Sequence, residues 1–134
     1  MNKEKFTLIG AGLAGPLMAT YLAKKGYFVE IFEQRPDMRK ESISAGRSIN
    51  LALSIRGIHA LKEIGLYEKI EPQTIPMKGR MIHDLDGKTH LQPYGQKDDE
   101  TIFSVSRRQL NMDLMTLAEE TGNVSIRFNH QLLS

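Results

Sequence analysis

The sequence contains no cysteine. This absence excludes a disulfide scaffold, cysteine-ligated zinc, iron–sulfur clusters and thiol catalysis by these residues, so packing alone must hold the interior. The sequence also lacks an excess of one charge. It has 18 basic and 16 acidic residues, so its net charge is +2, and neither sign forms a long run. This balance of charges argues against nucleic acid as a partner.

The chain has 134 residues, which allows one domain at most, and less than one if the fold belongs to a large class. Its 40% hydrophobic and 25% charged residues are typical of a globular protein. Residues 6–23 carry no charge and could be read as a signal peptide or a membrane span. Because glycines and a proline interrupt this stretch, we expect neither, and we expect a cytoplasmic protein whose present segment makes no membrane contact.

Apolar spacing predicts an α/β fold that opens with a parallel strand–helix–strand unit. The strands that start near residues 5, 27 and 124 are expected to form one parallel sheet, the first part of a Rossmann-like fold with an inserted hairpin. The predicted elements are a strand at 5–9, a helix at 13–25, a strand at 27–32, a loop at 34–54, a helix at 56–64, a hairpin of 77–84 and 88–92 around Asp86-Gly87, a helix that Ser106 caps with Gln109, and a strand at 124–128.

The motif Gly10-x-Gly12-x-x-Gly15 follows the first strand and opens the first helix, which is the context that a dinucleotide fingerprint requires. Gly10 permits the tight turn, Gly12 lets backbone amides approach a pyrophosphate, and Gly15 lets helix and strand pack closely. Glu33 ends the second strand, where its carboxylate can accept both hydroxyls of an adenosine ribose and would repel a 2′-phosphate. FAD and NAD share this fingerprint, and a purely structural glycine turn with a solvated Glu33 is the alternative.

Five further segments are AGRSINLALS at 45–54, IPMKGRMIH at 75–83, QPYG at 92–95, FSVSR at 103–107 and FNHQLL at 128–133. These segments resemble the kynurenine 3-monooxygenases, a family of FAD-dependent aromatic hydroxylases, and the resemblance covers essentially the whole chain. It implies that these residues are an amino-terminal fragment, an incomplete FAD-binding domain over 1–134 in which 75–104 contribute to the sheet that covers the substrate. The second Gly-Asp flavin motif of such enzymes is not in this sequence.

The resemblance also implies a reaction, in which NADPH and O2 serve an FAD enzyme that hydroxylates L-kynurenine to 3-hydroxykynurenine. Arg80 and Tyr94 match positions that grip the amino-acid carboxylate of kynurenine, a pairing that suits a guanidinium and a phenol. Without the resemblance, Arg80 would be read as a solvated strand arginine and Tyr94 as a turn tyrosine. The positions that match FAD contacts are Gly10, Gly12, Ala14, Gly15, Phe32, Glu33, Gln34, Arg35, Ala52, Arg107 and Leu132.

Several alternatives stay open at the level of the sequence. Arg107 could be a surface arginine, and Ala52 and Leu132 could be ordinary core residues. No residue is assigned as a catalytic acid or base, and none of the four histidines has a second ligand at metal spacing. The chain could also be a nucleotide-binding module without catalysis, or part of another flavin or NAD oxidoreductase with the same βαβ unit.

Overall fold

The fold is known from a computed structural model that describes residues 4–40, 49–97 and 100–133. Residues 41–48 of the predicted loop, which include the first part of the AGRSINLALS segment, lie outside the described residues. The elements are β1 Lys5–Ile9, α1 Ala14–Lys24, β2 Phe28–Phe32, β3 Asn50–Leu53, α2 Ile55–Glu63, α3 Tyr67–Ile70, a 3₁₀ turn Glu71–Gln73, β4 Ile75–Met77, β5 Gly79–His83, β6 Thr89–Pro93, β7 Ile102–Ser106, α4 Arg107–Glu120 and β8 Val124–Arg127.

The first sheet has the order β1-β2-β8, and both of its pairings are parallel. This confirms the predicted βαβ unit and the three predicted parallel strands. Val29 and Ile31 of β2 point to one face, where they pack with Ala19 of α1 and with Met115 and Ala118 of α4. Alternation along β2 therefore buries one side of the sheet under two helices, and small alanines let those helices approach closely.

A second, antiparallel sheet has the order β3-β7-β4. It corrects the prediction of a loop over 34–54, because the end of that segment, Asn50–Leu53, is strand β3. Leu51 pairs with Val105, a partner more than fifty residues away, so no local pattern could reveal this strand. A second core under this sheet joins Leu53 to Leu61 of α2 and Leu114 of α4. Helix α4 thus contributes to both cores.

The hairpin β5–β6 confirms the turn that Asp86-Gly87 predicts, with Gly87 at φ 83°. Among the described residues it pairs with no other strand and forms a two-stranded sheet of its own. Segment 75–104 is therefore divided, because Ile75–Met77 and Ile102–Ser106 belong to the second sheet. The contribution of 75–104 to a sheet that covers the substrate stays a prediction.

Helix α4 begins as its sequence predicts, since the Ser106 hydroxyl accepts a hydrogen bond from the Gln109 amide at 3.3 Å. The Gln109 side chain donates to Asp113 at 3.2 Å. In the described part of the chain, no helix combines the length and the hydrophobicity needed to cross a bilayer.

Candidate nucleotide-binding site

The glycine loop between β1 and α1 has the geometry that its spacing predicts. Gly10 has φ 95° and its amide donates to the Phe32 carbonyl at 2.7 Å, which ties the turn to the end of β2. A Cβ on Gly15 would lie 2.1 Å from the Gly10 carbonyl oxygen, so the helix can approach the turn only with glycine here. A Cβ on Gly12 would meet nothing within 4 Å. Gly10 and Gly15 thus shape the loop, while Gly12 borders open space that a ligand could enter.

The first turn of α1 is free to bind an anion. Leu13 occupies the N-cap position without a side-chain cap, and the first turn contains no acidic residue. The first amides of a helix have no partner inside the helix and carry the positive end of its dipole, so such a start favours a phosphate. The loop and the helix start therefore fit a diphosphate.

Glu33 follows β2 directly and is only 4% exposed. Its Oε2 accepts a hydrogen bond from the Ala11 amide at 2.7 Å, and its Oε1 accepts from the amide and the Nε of Arg35, each at 2.8 Å. The Arg35 Nη2 also donates to Oε2 at 3.3 Å. The carboxylate therefore joins the glycine loop to Arg35, a connection that the sequence did not indicate. For Glu33 to accept ribose hydroxyls, the half-exposed Arg35 guanidinium must move aside, and the predicted ribose contact stays a prediction.

These contacts set the ionisation of Glu33. Burial raises the pKa of its carboxyl, but the hydrogen bonds from the Arg35 guanidinium, the Arg35 amide and the Ala11 amide outweigh burial and lower the pKa to about 2. The same contact raises the pKa of the Arg35 guanidinium. At neutral pH the site therefore holds a carboxylate and a guanidinium that are both fully charged.

Other residues predicted to contact FAD lie around the loop in two cavities. Ala14 and Ala52 line an apolar cavity of about 400 Å³ between α1, β3 and α2. Phe32 and Leu132 line another, of about 530 Å³, beside β1. Of the remaining predicted contacts, Gln34 and Arg107 are both exposed, and Arg107 opens α4. The structure thus places these residues at cavities or at the surface, and their contact with FAD stays a prediction.

Arg80 and Tyr94 lie on the hairpin, away from the loop in sequence. Arg80 pairs with Gln92 across the strands, and its Nε donates to the Gln92 Oε1 at 2.8 Å. The Tyr94 amide donates to the Lys78 carbonyl at 3.0 Å, so the hydrogen bonding between the two chains continues one residue beyond the pair Gly79–Pro93. Arg80 and Gln92 are directly opposite, so their side chains share one face of the hairpin, and Tyr94 follows the end of β6 in a bend. The two predicted carboxylate ligands therefore lie near the same end of the hairpin.

Histidines form no metal site in the described residues, where no group of three or more His, Asp or Glu side chains could hold an ion. His130 lies against the Phe32 ring, with the ring centroids 5.9 Å apart, and its Nδ1 is 2.6 Å from the Phe128 carbonyl. His90 is 3.7 Å from Asp84 and His59 is 3.9 Å from Glu63, and all four of these side chains are largely exposed. Each of these three histidines thus lies beside another protein group.

One residue of the site escaped sequence analysis. Asn111 of α4 is buried, and its Nδ2 donates to the Ala11 carbonyl at 3.2 Å. The sequence did contain an indication, because Asn111 lies on the same face of the helix as the apolar residues Met115 and Ala118. A polar residue on a buried face implies a buried hydrogen bond.

A parallel βαβ unit, a glycine turn and an uncapped helix start define a dinucleotide-binding unit. Residues 5–134 match the family described as FAD binding domain. The chain therefore belongs to the FAD-binding-domain family, which confirms the predicted fold class and the predicted cofactor, FAD.

The relatives agree with this assignment. Kynurenine 3-monooxygenase from Myxococcus xanthus strain DK1622 is 51% identical over 131 residues, which are 98% of this chain and 28% of that protein. The Sus scrofa kynurenine 3-monooxygenase is 48% identical over 133 residues, 99% of this chain and 28% of that protein. The crystal structure of p-nitrophenol 4-monooxygenase from Pseudomonas putida DLL-E4 shares the fold, with a TM-score of 0.75 at 18% identity over 95% of this chain and 32% of that one. The chain thus spans less than a third of the length of these relatives, and its resemblance to the kynurenine 3-monooxygenases is confirmed.

Proposed function

We propose that the chain is the amino-terminal part of an FAD-dependent monooxygenase that uses NADPH and O2 to hydroxylate L-kynurenine to 3-hydroxykynurenine. The observation that carries this proposal is the identity of 51% over 131 residues with a kynurenine 3-monooxygenase. The matched region covers 98% of this chain and therefore spans both the glycine loop and the hairpin.

The proposed cofactor site uses the carboxyl ends of two neighbouring parallel strands, β1 and β2. The glycine loop and the start of α1 would hold the FAD diphosphate, because the first turn of the helix contains no acidic residue. Within the loop, the Ala11 amide is already bonded to the Glu33 carboxylate, so the other amides would have to bind the diphosphate. The end of β2, from Phe32 to Arg35, would hold the adenosine half, and Ala52, Arg107 and Leu132 would contact the flavin. Bound FAD supplies the redox chemistry, so the protein has to orient and shield the reactants rather than act as acid or base.

The proposed substrate site lies on the hairpin. Arg80 is a permanent cation whose planar guanidinium can bind a carboxylate through two parallel hydrogen bonds. Gln92 accepts from the Nε of Arg80 and thereby restrains the guanidinium. Tyr94, two residues beyond Gln92, would add a hydroxyl donor. A guanidinium and a phenol at the same end of the hairpin suit the carboxylate of an amino acid.

The test is NADPH oxidation by the full-length protein, with and without L-kynurenine, and identification of the product by mass spectrometry. We expect kynurenine to stimulate oxidation and a product heavier by one oxygen atom. The decarboxylated analogue of kynurenine is the matched control, and it should stimulate poorly because it lacks the group that Arg80 binds.

Two other outcomes would replace the proposal. Bound FAD without any NADPH oxidation would favour a nucleotide-binding module without catalysis. Oxidation that other aromatic compounds stimulate and kynurenine does not would favour a different flavin oxidoreductase.

A further inference from the structure

Both polar groups of the Ala11 backbone are held by buried side chains from distant parts of the chain. Its amide donates to the Glu33 Oε2 at 2.7 Å, and its carbonyl accepts from the Asn111 Nδ2 at 3.2 Å. Ala11 is 1% exposed and Asn111 is 5% exposed, so water does not compete for either contact. Ala11 lies between Gly10 and Gly12, and these two bonds hold its backbone from both sides.

Asn111 is an unusual choice for this position if stability is its only role. The Asn111 Nδ2 also donates to the Met38 sulfur, which is a weak acceptor, at a nitrogen–sulfur distance of 3.5 Å. Its Oδ1 is the one buried side-chain oxygen or nitrogen, among the described residues, that has no hydrogen-bond partner. An unsatisfied buried acceptor opposes folding, so the bond from Asn111 to the Ala11 carbonyl is kept at a cost to stability.

We propose that Asn111 is a positioning residue for the FAD-binding loop. Gly12 is the most flexible kind of residue and directly follows Ala11, so the direction in which the loop continues depends on how firmly Ala11 is held. The clamp formed by Glu33 and Asn111 fixes the peptide planes on both sides of Ala11. It orders the loop before the cofactor arrives, which lowers the entropy that binding must remove.

The position of Asn111 in α4 supports this role. It lies four residues after Arg107, one helical turn along the same face. Arg107 is a proposed flavin contact. One face of the first turns of α4 would therefore contact the flavin through Arg107 and the loop through Asn111. The inference rests on the proposed FAD site. It adds Asn111, which would affect FAD binding through the backbone of Ala11.

The experiment compares Asn111→Leu with the wild type in the full-length protein. After removal of the flavin, the dissociation constant of FAD is measured by quenching of flavin fluorescence. We expect Asn111→Leu to weaken FAD about 3- to 10-fold, the effect of one hydrogen bond. The melting temperature should change little, because the variant removes the unsatisfied Oδ1 and leaves the Ala11 carbonyl without its Asn111 donor instead. Thr121→Val is the matched control, because it removes a hydrogen bond to the Ala118 carbonyl about 15 Å further along the same helix. It should lower stability and leave FAD affinity unchanged.

Hydrogen exchange gives a second readout that needs no variant. In the wild-type protein freed of FAD, the Ala11 amide should exchange as slowly as the amides of β2, although it belongs to no helix or strand.

Three results would overturn the inference: equal FAD affinity in Asn111→Leu and the wild type, an equal loss in Thr121→Val, or rapid exchange at Ala11. In each of these the wild type still binds FAD and the proposed function stands. A wild-type protein that binds no FAD contradicts the proposed function itself, and this inference with it.

Discussion

The parallel sheet and the hairpin hold their proposed site residues in different ways. Around the glycine loop, buried side chains fix the backbone, as Glu33 and Asn111 fix Ala11. On the hairpin, Met81 and Leu91 oppose each other and each is 54% exposed, and Arg80 is restrained by an exposed glutamine. The proposed cofactor site is therefore formed by the fold itself, whereas the proposed substrate residues are aligned by strand register alone.

This contrast predicts two kinds of variant. Substitutions at the loop should weaken FAD binding, and those that disturb its close packing should lower stability as well. Substitutions of the proposed substrate residues on the hairpin should change the use of kynurenine and leave the melting temperature unchanged, because exposed contacts contribute little to folding.

The largest expected effect is that of Gly15→Ala. The new Cβ would lie 2.1 Å from the Gly10 carbonyl, so the loop or α1 must shift, and we expect unfolding to become easier by about 3 kcal/mol with loss of bound FAD. Urea unfolding and flavin absorbance measure the two effects. Gly12→Ala is the control, since its Cβ meets nothing, and it should keep stability while FAD binding weakens. Equal stability of the Gly15→Ala protein and the wild type would contradict the close packing described here.

The next effect is that of Glu33→Gln. With a pKa of about 2 in the folded state and 4.5 as its ordinary value, the carboxyl contributes about 3 kcal/mol of stability at neutral pH. Because the folded pKa is the lower one, this contribution is complete above about pH 4.5 and is lost as the pH falls toward 2. We expect Glu33→Gln to cost about 2 kcal/mol at pH 7 and less than half of that at pH 3. Urea unfolding at both pH values measures the difference, and a cost independent of pH would refute the charged clamp.

A smaller effect, confined to the hairpin, is expected for Arg80→Ala. Removing a charged hydrogen bond costs about 1.5 to 3 kcal/mol, so kcat/KM for kynurenine should fall roughly 10- to 150-fold. FAD affinity and melting temperature should not change. Lys88→Ala, which removes an exposed ion pair with Asp86 near the hairpin turn, is the control and should leave the kinetics unaltered. Unchanged kinetics in Arg80→Ala would dispose of the substrate assignment.

The smallest effect is expected for Gln92→Leu. This variant keeps Arg80 and removes the acceptor of its Nε, so the guanidinium loses orientation but not charge. We expect the KM for kynurenine to rise about 2- to 5-fold with kcat nearly unchanged, as for the loss of a weak, exposed hydrogen bond. A rise as large as that of Arg80→Ala would show that Gln92 itself contacts the substrate.

Sequence reasoning succeeded where local patterns determine structure. The glycine spacing predicted the βαβ unit to within a residue or two, Asp86-Gly87 predicted the hairpin, and Ser106 predicted the start of α4. It did not predict β3, β4 or β7, because these strands of three to five residues have little periodicity and depend on partners far away in the chain.

The site shows the same division. Glu33 was predicted at the end of β2, but its bonds to Ala11 and Arg35 depend on how β2, the loop and the following turn meet in space. Asn111 lies one hundred residues beyond Ala11, so only the packing of α4 against the loop reveals their contact.

The central claim is that the glycine loop and the end of β2 bind FAD. Its most direct test is a titration of the full-length protein, freed of flavin, with FAD, followed by visible absorbance and compared with Gly12→Ala. We predict a yellow protein with one FAD per chain and weaker binding in Gly12→Ala. A protein that is colourless after excess FAD has been removed by gel filtration would contradict the claim.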